Sequence, residues 1–274
     1  MNHNFFTSDD LSFKLLQGNT LDVLPTIEKN SIDLIFTDPP YFLSNGGSTI
    51  QSGEIVSVNK GDWDKFTTSD DVLEFTRNWL TQCQRILKPS GSIWISGTHH
   101  NIFMIGTLLN ELGFKFLNMV TWQKPNPPPN FSCRYFTYSA EWVIWARKSP
   151  KVPHCFNYDV IKHLNGDKQM KDVWLLPSSG RLEKTQGKHP TQKPLGLLSR
   201  IILASSNEND TVLDLFSGSA STGIAANLMN RRYIGIEREQ EFLDLSVRRY
   251  HELSNTEHRE QLKALIKKQI EKSV

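Results

Sequence analysis

The chain has 274 residues and a formal net charge of +2, enough length to bury a full core and too little charge to attract nucleic acid through a global field. Its three cysteines, Cys83, Cys133 and Cys155, are widely spaced. That argues against a disulfide framework or a zinc cluster, and sets the expectation of a reduced, cytoplasmic protein without a metal. The polar start and the lack of any apolar run near the ~20 residues that span a bilayer leave neither a signal peptide nor a membrane segment to expect.

In chain order, Phe13 to Gln17 is a short strand candidate, Leu21 to Ile27 a short helix and Ile32 to Phe36 a β-branched strand. A Gly/Ser/Asn-rich stretch over 43–61 is too long for an ordinary connection and is expected to be a mobile lid. Asp70 to Leu87 carries apolar residues at helical spacing and stops at Lys88-Pro89-Ser90-Gly91. A strand (Ser92 to Ser96), a helix (Asn101 to Leu112) and two more strands (Leu117 to Trp122, Glu141 to Ala146) follow. From about Lys148 to Lys188 the periodicity fades, and eight basic residues stand against four acidic ones. Regularity then resumes with a helix (Leu195 to Ser205), a strand (Val212 to Leu215), a helix (Thr222 to Asn230) and a strand (Tyr233 to Ile236). One long amphipathic helix from about Glu239 is expected to close the chain, its basic tail (Lys263, Lys267, Lys268) frayed and solvated. This alternation predicts a single α/β domain over 1–274 with a mainly parallel sheet, interrupted by an insertion over 149–187.

Two turns carry the chemistry. Asp38-Pro39-Pro40-Tyr41 ends a buried strand, so a carboxylate is delivered to a sheet edge on a stiff turn. Proline fixes φ and lacks an N–H, which leaves acceptors with few competing donors, and an aromatic ring stands beside them. The pattern suits an amino group on a planar ring, although Asp-Pro-Pro alone can be mere turn punctuation. The second turn, Asp214-Leu215-Phe216-Ser217-Gly218-Ser219-Ala220, joins a strand to a helix with small residues, and Glu237 ends the next strand at the distance usual for a ribose-holding carboxylate. Ala220 breaks the pattern of a pyrophosphate cradle, so a ligand without a pyrophosphate is expected.

Together these motifs resemble those of the amino-methylating DNA methyltransferases that use S-adenosylmethionine. Asp38-Pro39-Pro40-Tyr41 is similar to their catalytic D-P-P-Y, and Asp214 to Ser219 to their D-P-F-x-G-S cofactor turn, with Leu215 in place of the proline. The catalytic motif comes first, and Gly187-Lys188-His189-Pro190-Thr191-Gln192-Lys193-Pro194 precedes the cofactor turn, the circularly permuted order of the β group. Tyr41 to Gly47, Gly61 to Asp64, Ser132 to Thr137 and Lys168 to Trp174 resemble a narrower set, the DpnA-like second methyltransferases of GATC-type restriction systems.

The resemblance implies a Rossmann-like methyltransferase fold and transfer of a methyl group to the N6 of adenine in DNA, within GATC, in a restriction-modification system. The adenine would be flipped out or single-stranded. Asp38 and Pro39 would accept from the amine, Pro40 would stiffen the turn and Tyr41 would stack on the base. Phe216, Gly218 and Ser219 would line the methionine arm, with Asp214 orienting the turn or the methionine ammonium and Glu237 accepting from the ribose. His189, Thr191, Gln192 and Lys193 would close over the methionine end. Asp22 follows what topology makes the third sheet strand, which makes it a candidate for the cofactor adenine or simply a helix start. The extra methyl of Ala220 has room to crowd the turn. The 149–187 insertion is the expected target-recognition element, with Lys168, Gln169, Lys171 and Arg181, together with Asn130 and Arg134, as DNA contacts. Cytosine-N4 methylation, RNA or protein-glutamine methylation, and a degenerate DNA-binding relative are the alternatives. A Rossmann dehydrogenase is the weakest, and the oligomeric state, a homodimer included, is open.

Overall fold

The computed structural model describes residues 3–41, 48–51, 54–57, 68–130 and 132–271. In chain order the elements are β1 (Asn4–Thr7), β2 (Phe13–Gln17), α1 (Thr20–Val23), β3 (Ile32–Thr37), β4 (Ser48–Gln51), β5 (Glu54–Ser57), α2 (Ser69–Ile86), β6 (Leu87–Gly97) and α3 (Ile102–Glu111). They continue with β7 (Lys115–Gln123), β8 (Ala140–Arg147), α4 (Tyr158–Leu164), β9 (Val173–Leu175), α5 (Leu195–Ser205), β10 (Thr211–Asp214), α6 (Ser221–Leu228), β11 (Arg232–Glu237), α7 (Gln240–Glu252) and α8 (Thr256–Glu271).

Among the described residues nine strands form one sheet in the order β1-β2-β11-β10-β3-β6-β8-β7-β9. The central run from β2 to β6 is parallel, and β8 lies antiparallel between β6 and β7. Alternate side chains feed two cores, as period-two strands covered on both faces must. Leu34, Phe36 and Trp94 pack toward α5, α6, α7 and α8, whereas Ile35, Ile93 and Ile95 pack toward α1, α2 and α3. The helix after the cofactor turn lies so close to the sheet that a Cβ at Gly223 would meet the Tyr233 ring at 2.5 Å. The chain reverses its direction of travel across the sheet between β3 and β10, which opens a crevice at their carboxyl ends. The expected α/β fold, permuted order included, is the one observed.

The polar N-terminus contains β1, an antiparallel edge strand not among the expected elements, whose Phe6 packs 5.8 Å from Tyr250. Three expectations need correction. The closing helix is two helices, because the chain turns at Leu253-Ser254-Asn255, where Ser254 Oγ donates to the His251 carbonyl and Asn255 Oδ1 accepts from His258 N at 3.1 Å. Its tail is not frayed. Leu262, Ile266 and Ile270 are buried in the core while Lys267 and Lys268 point to solvent. Finally, the 149–187 segment is no appendage, since β9 pairs with β7 and buries Trp174, and Leu176 accepts from Trp122 Nε1 at 2.8 Å. Most of the 43–61 lid lies outside the described residues, apart from the β4–β5 hairpin. Among the described residues no helix is long and apolar enough to cross a membrane.

Candidate active site

β3 ends at Thr37, and Asp38 follows it at the crevice, backed by the stiff Pro39-Pro40 pair. The Tyr41 hydroxyl donates to Asp38 Oδ1 at 2.6 Å and lies 3.3 Å from Ser96 Oγ on β6. Burial, then the Asp38 and Glu141 carboxylates, hold the Tyr41 phenol well above its ordinary value, so it is a donor at neutral pH. Lys193 Nζ donates to Asp38 Oδ2 at 2.5 Å and to the Tyr41 hydroxyl at 3.3 Å. The same ammonium stands 3.6 Å from Glu141 Oε2, and Lys124 pairs with the other Glu141 oxygen. Asp38 thus sits at one end of a largely buried chain of alternating charge.

On the far side of the crevice, Asp214 spends both oxygens on its own turn. Phe216 N donates to Oδ1 at 3.2 Å and the Thr222 hydroxyl donates to Oδ2 at 2.6 Å. Of the two roles expected for Asp214, the geometry therefore shows the turn-orienting one. Gly218 has φ +51°, and its N–H donates to Glu237 Oε2 at 2.8 Å. A Cβ there would stand 3.0 Å from the His189 ring, so the close approach requires glycine. Glu237 Oε1 accepts from Arg238 N and Glu239 N, yet burial outweighs these bonds and holds its carboxyl above the usual value. From α7, the buried Arg249 guanidinium donates to the Ser219 carbonyl and to the Ser219 and Ser221 hydroxyls, each hydroxyl at 3.0 Å, which pins the turn from behind. Ala220 is also left-handed, at φ +53°, but it is fully buried in the core and is not part of the cavity wall, so its methyl does not crowd the ligand space.

Both turns line one cavity of about 270 Å³. Asp38, Pro39, Pro40, Tyr41, His189, Thr191, Gln192, Lys193, Asp214, Phe216, Gly218, Ser219 and Glu237 all reach it. Asp22 does not. It is exposed on α1, and the wall at that point is Gly18, Asn19 and Thr20, because Asn19 caps α1 and turns the next residues away. Lys193 is also displaced from its expected role, since it sits on Asp38. The sequence assigned no site role to Glu141, Lys124 or Ser96, although Lys124 and Glu141 lie in the family-like stretches Thr121 to Lys124 and Glu141 to Lys148.

The expected DNA contacts are scattered. The structure puts Lys148, at the head of the basic segment, at the sheet edge remote from Asp38: Arg147 pairs with Ser92, and Lys148 N donates to the Gly91 carbonyl. Lys168, Gln169 and Lys171 are exposed on the approach to β9, and Arg181 is exposed farther along. Asn130 spends its amide on its own loop, donating to the Tyr135 carbonyl at 2.5 Å and accepting from Ser132 N at 3.0 Å. Arg134 is exposed in the β7–β8 connection, which leaves the sheet at the same edge as Asp38. Beside it stand Tyr135, Phe136 and Tyr138, exposed by 59%, 95% and 57%, with Tyr138 stacked on His99 at 4.4 Å. The interleaving of these rings with Arg134 is the sequence signal that would have found them.

Burial, helped by the Asp38 and Glu237 carboxylates, pushes the Asp214 carboxyl up to about 7. A raised acid gives the folded chain stability that is full below the unfolded value near 3.8 and is lost as pH rises through about 7. A cationic ligand reverses the preference, because it favours the ionised acid. The affinity for S-adenosylmethionine, the cofactor expected from sequence, should therefore rise about tenfold between pH 6 and pH 8. Titration calorimetry at both pH values checks this, with Asp214→Asn expected to flatten the profile.

Comparison with known proteins gives the family of the chain. The family N6_N4_Mtase, described as DNA methylase, matches residues 32–248. The type II methyltransferase M2.MboI of Moraxella bovis is 60% identical over 97% of both chains. M2.DpnII of Streptococcus pneumoniae, also a type II methyltransferase, is 51% identical over 86% of this chain and 88% of its own. The crystal structure of an M1.HpyAVI–SAM complex superposes with a TM-score of 0.65 at 28% identity, covering 87% of this chain and 98% of the other.

Proposed function

This chain belongs to the DNA methylase family, and we propose that it is an S-adenosylmethionine-dependent methyltransferase acting on the N6 of adenine within GATC. The observation that carries this reading is the meeting of Asp38, on its proline-stiffened turn, with Gly218 and Glu237 in one cavity. The cavity fits the cofactor: Glu237 is an acceptor for ribose hydroxyls, Gly218 lets the backbone approach, and Phe216 gives an apolar wall. When bound, S-adenosylmethionine supplies the methyl group from its sulfonium.

An exocyclic amine is a poor nucleophile because its lone pair is delocalised into the ring. Asp38 and the Pro39 carbonyl accept its two hydrogens, which favours a pyramidal nitrogen and stabilises the positive charge that grows on it. Each fixed group aimed at a developing charge is worth roughly 3–4 kcal/mol in a dry site. The base must leave the duplex to reach Asp38, and the Tyr41 ring offers a stacking surface worth ~1–3 kcal/mol. Asp38, where cytosine-N4 relatives often carry serine, favours adenine. The exposed rings of Tyr135, Phe136 and Tyr138, with Arg134, supply a stacking and phosphate-contacting rim for the strand at the same sheet edge. The membership in type II relatives supports a role beside a restriction activity.

Transfer of a tritiated methyl group to single- and double-stranded oligonucleotides, with and without one GATC, tests the reading. Incorporation is expected to be at least about tenfold higher with GATC, the size of a single-base discrimination. Equal incorporation would remove the sequence preference and leave the family membership standing.

A further inference from the structure

The acceptor that the substrate amine needs is already filled by a nitrogen donor. Asp38 Oδ1 holds the Tyr41 hydroxyl, and Oδ2 holds Lys193 Nζ at 2.5 Å. Both side chains of this ion pair are largely buried, with 7% of Lys193 and 13% of Asp38 exposed. An ammonium at that spot cannot stay during reaction, because it would repel the positive charge that grows on the amine. The structure provides somewhere for it to go. Glu141 Oε2, on β8, is buried, makes no hydrogen bond among the described residues and stands 3.6 Å from Lys193 Nζ. A small change in the lysine's side-chain torsions closes that gap.

We propose that Lys193 is a placeholder for the substrate amine, resting on Asp38 before the base enters and turning to Glu141 Oε2 when it does. Lys193 is thereby a positioning residue, and Glu141 is its second berth. Before the base arrives, the ammonium holds the Asp38 carboxylate in its aim. Burial disfavours the charged lysine, but Asp38 and Glu141 outweigh it and hold Lys193 above the ordinary lysine value. Burial likewise opposes ionisation of Glu141, and Lys193 with Lys124 brings its carboxyl below the usual value. The ammonium therefore travels between two carboxylates, and the arriving amine takes over the one it leaves. Lys124, paired with the other Glu141 oxygen, keeps that carboxylate in place throughout.

The inference rests on Asp38 being the acceptor for the substrate amine. It is tested by single-turnover transfer to an adenine-containing oligonucleotide at saturating S-adenosylmethionine, for Glu141→Gln, Lys193→Met and the double variant. Glu141→Gln is expected to slow transfer about tenfold or more, because the lysine then stays on Asp38, with cofactor affinity unchanged. Lys193→Met also slows transfer, since Asp38 loses its counter-ion. The double variant is expected to be faster than Glu141→Gln alone, as no lysine remains that needs a second berth. A double variant as slow as Glu141→Gln, or slower, overturns the proposal, as does full activity of Glu141→Gln. Should Glu141→Gln fail to fold, the wild-type enzyme crystallised with an unreactive cofactor analogue and an adenine oligonucleotide decides the matter. Lys193 Nζ is expected within hydrogen-bond length of Glu141 Oε2, and an ammonium still on Asp38 beside the bound base contradicts it. An inactive wild type, or an active Asp38→Ala, would sink the underlying reading; a slow double variant beside an active wild type sinks only the placeholder.

Discussion

Asp38→Ala is expected to lower the methyl-transfer rate at saturating substrates by at least about a thousandfold, at the upper end of the loss seen when one fixed group facing a developing charge is removed. Two effects add. The amine loses its charged acceptor, and Lys193 and Tyr41, which donate to the two carboxylate oxygens, lose the group that places them. Asp38→Asn keeps the shape and one acceptor oxygen, so its loss is expected to be smaller, about a hundredfold. Neither variant should change the affinity for S-adenosylmethionine more than about tenfold, because the turn and Glu237 do not bond to Asp38. Rate and affinity measured on the same preparations separate these outcomes.

Glu237→Ala is expected to do the reverse. The carboxylate fastens Gly218 N at 2.8 Å and is the proposed acceptor for ribose hydroxyls, so its removal is expected to loosen the turn as well as the ribose. Hydrogen bonds to a charged group are worth ~1.5–3 kcal/mol each, which corresponds to a cofactor dissociation constant raised by about a hundredfold. Glu237→Gln preserves length and one acceptor, and its loss should be nearer tenfold. At saturating cofactor both variants should transfer within about threefold of the wild-type rate, since the carboxylate makes no contact with the amine acceptor. Titration calorimetry and single-turnover rates together give the two numbers.

The two variants would divide the cavity into a proposed acceptor half and a proposed cofactor half, whose two carboxylates were already legible in the sequence. Asp38 and Glu237 each end a buried strand, and strand ends are readable because apolar runs stop there. Helices with a clear apolar stripe, α2 and α5, were equally plain. The misses share a physical cause. β9 has three residues and α4 seven, too few for a period to show, and both owe their shape to packing on β7 and α5. The break between α7 and α8 falls on Ser254-Asn255, polar residues that look like a helix's wet face until their side chains are seen capping the backbone. In the site, the pairing of Lys193 with Asp38 joins positions 155 apart, and no local pattern reports a contact of that range. Ala220 misled for the opposite reason, since its backbone angle, not its composition, turns the methyl into the core.

The charged row from Lys124 through Glu141 and Lys193 to Asp38 also shapes how the amine acceptor is understood. An aspartate on a stiff turn is a fixed acceptor, and this one is also occupied, so the entering amine must compete for it. Exchange of one nitrogen donor for another leaves the carboxylate's hydrogen bonding intact, which keeps a buried charge from ever standing unpaired. The exposed aromatic rim at the same sheet edge would bring the strand to that point.

The most direct test of the central claim is the identity of the methylated nucleoside. DNA containing GATC, treated with the wild-type enzyme and S-adenosylmethionine, is digested to nucleosides and weighed by mass spectrometry. The account predicts N6-methyl-2′-deoxyadenosine, absent when Asp38 is replaced by alanine. N4-methyl-2′-deoxycytidine as the product would contradict it.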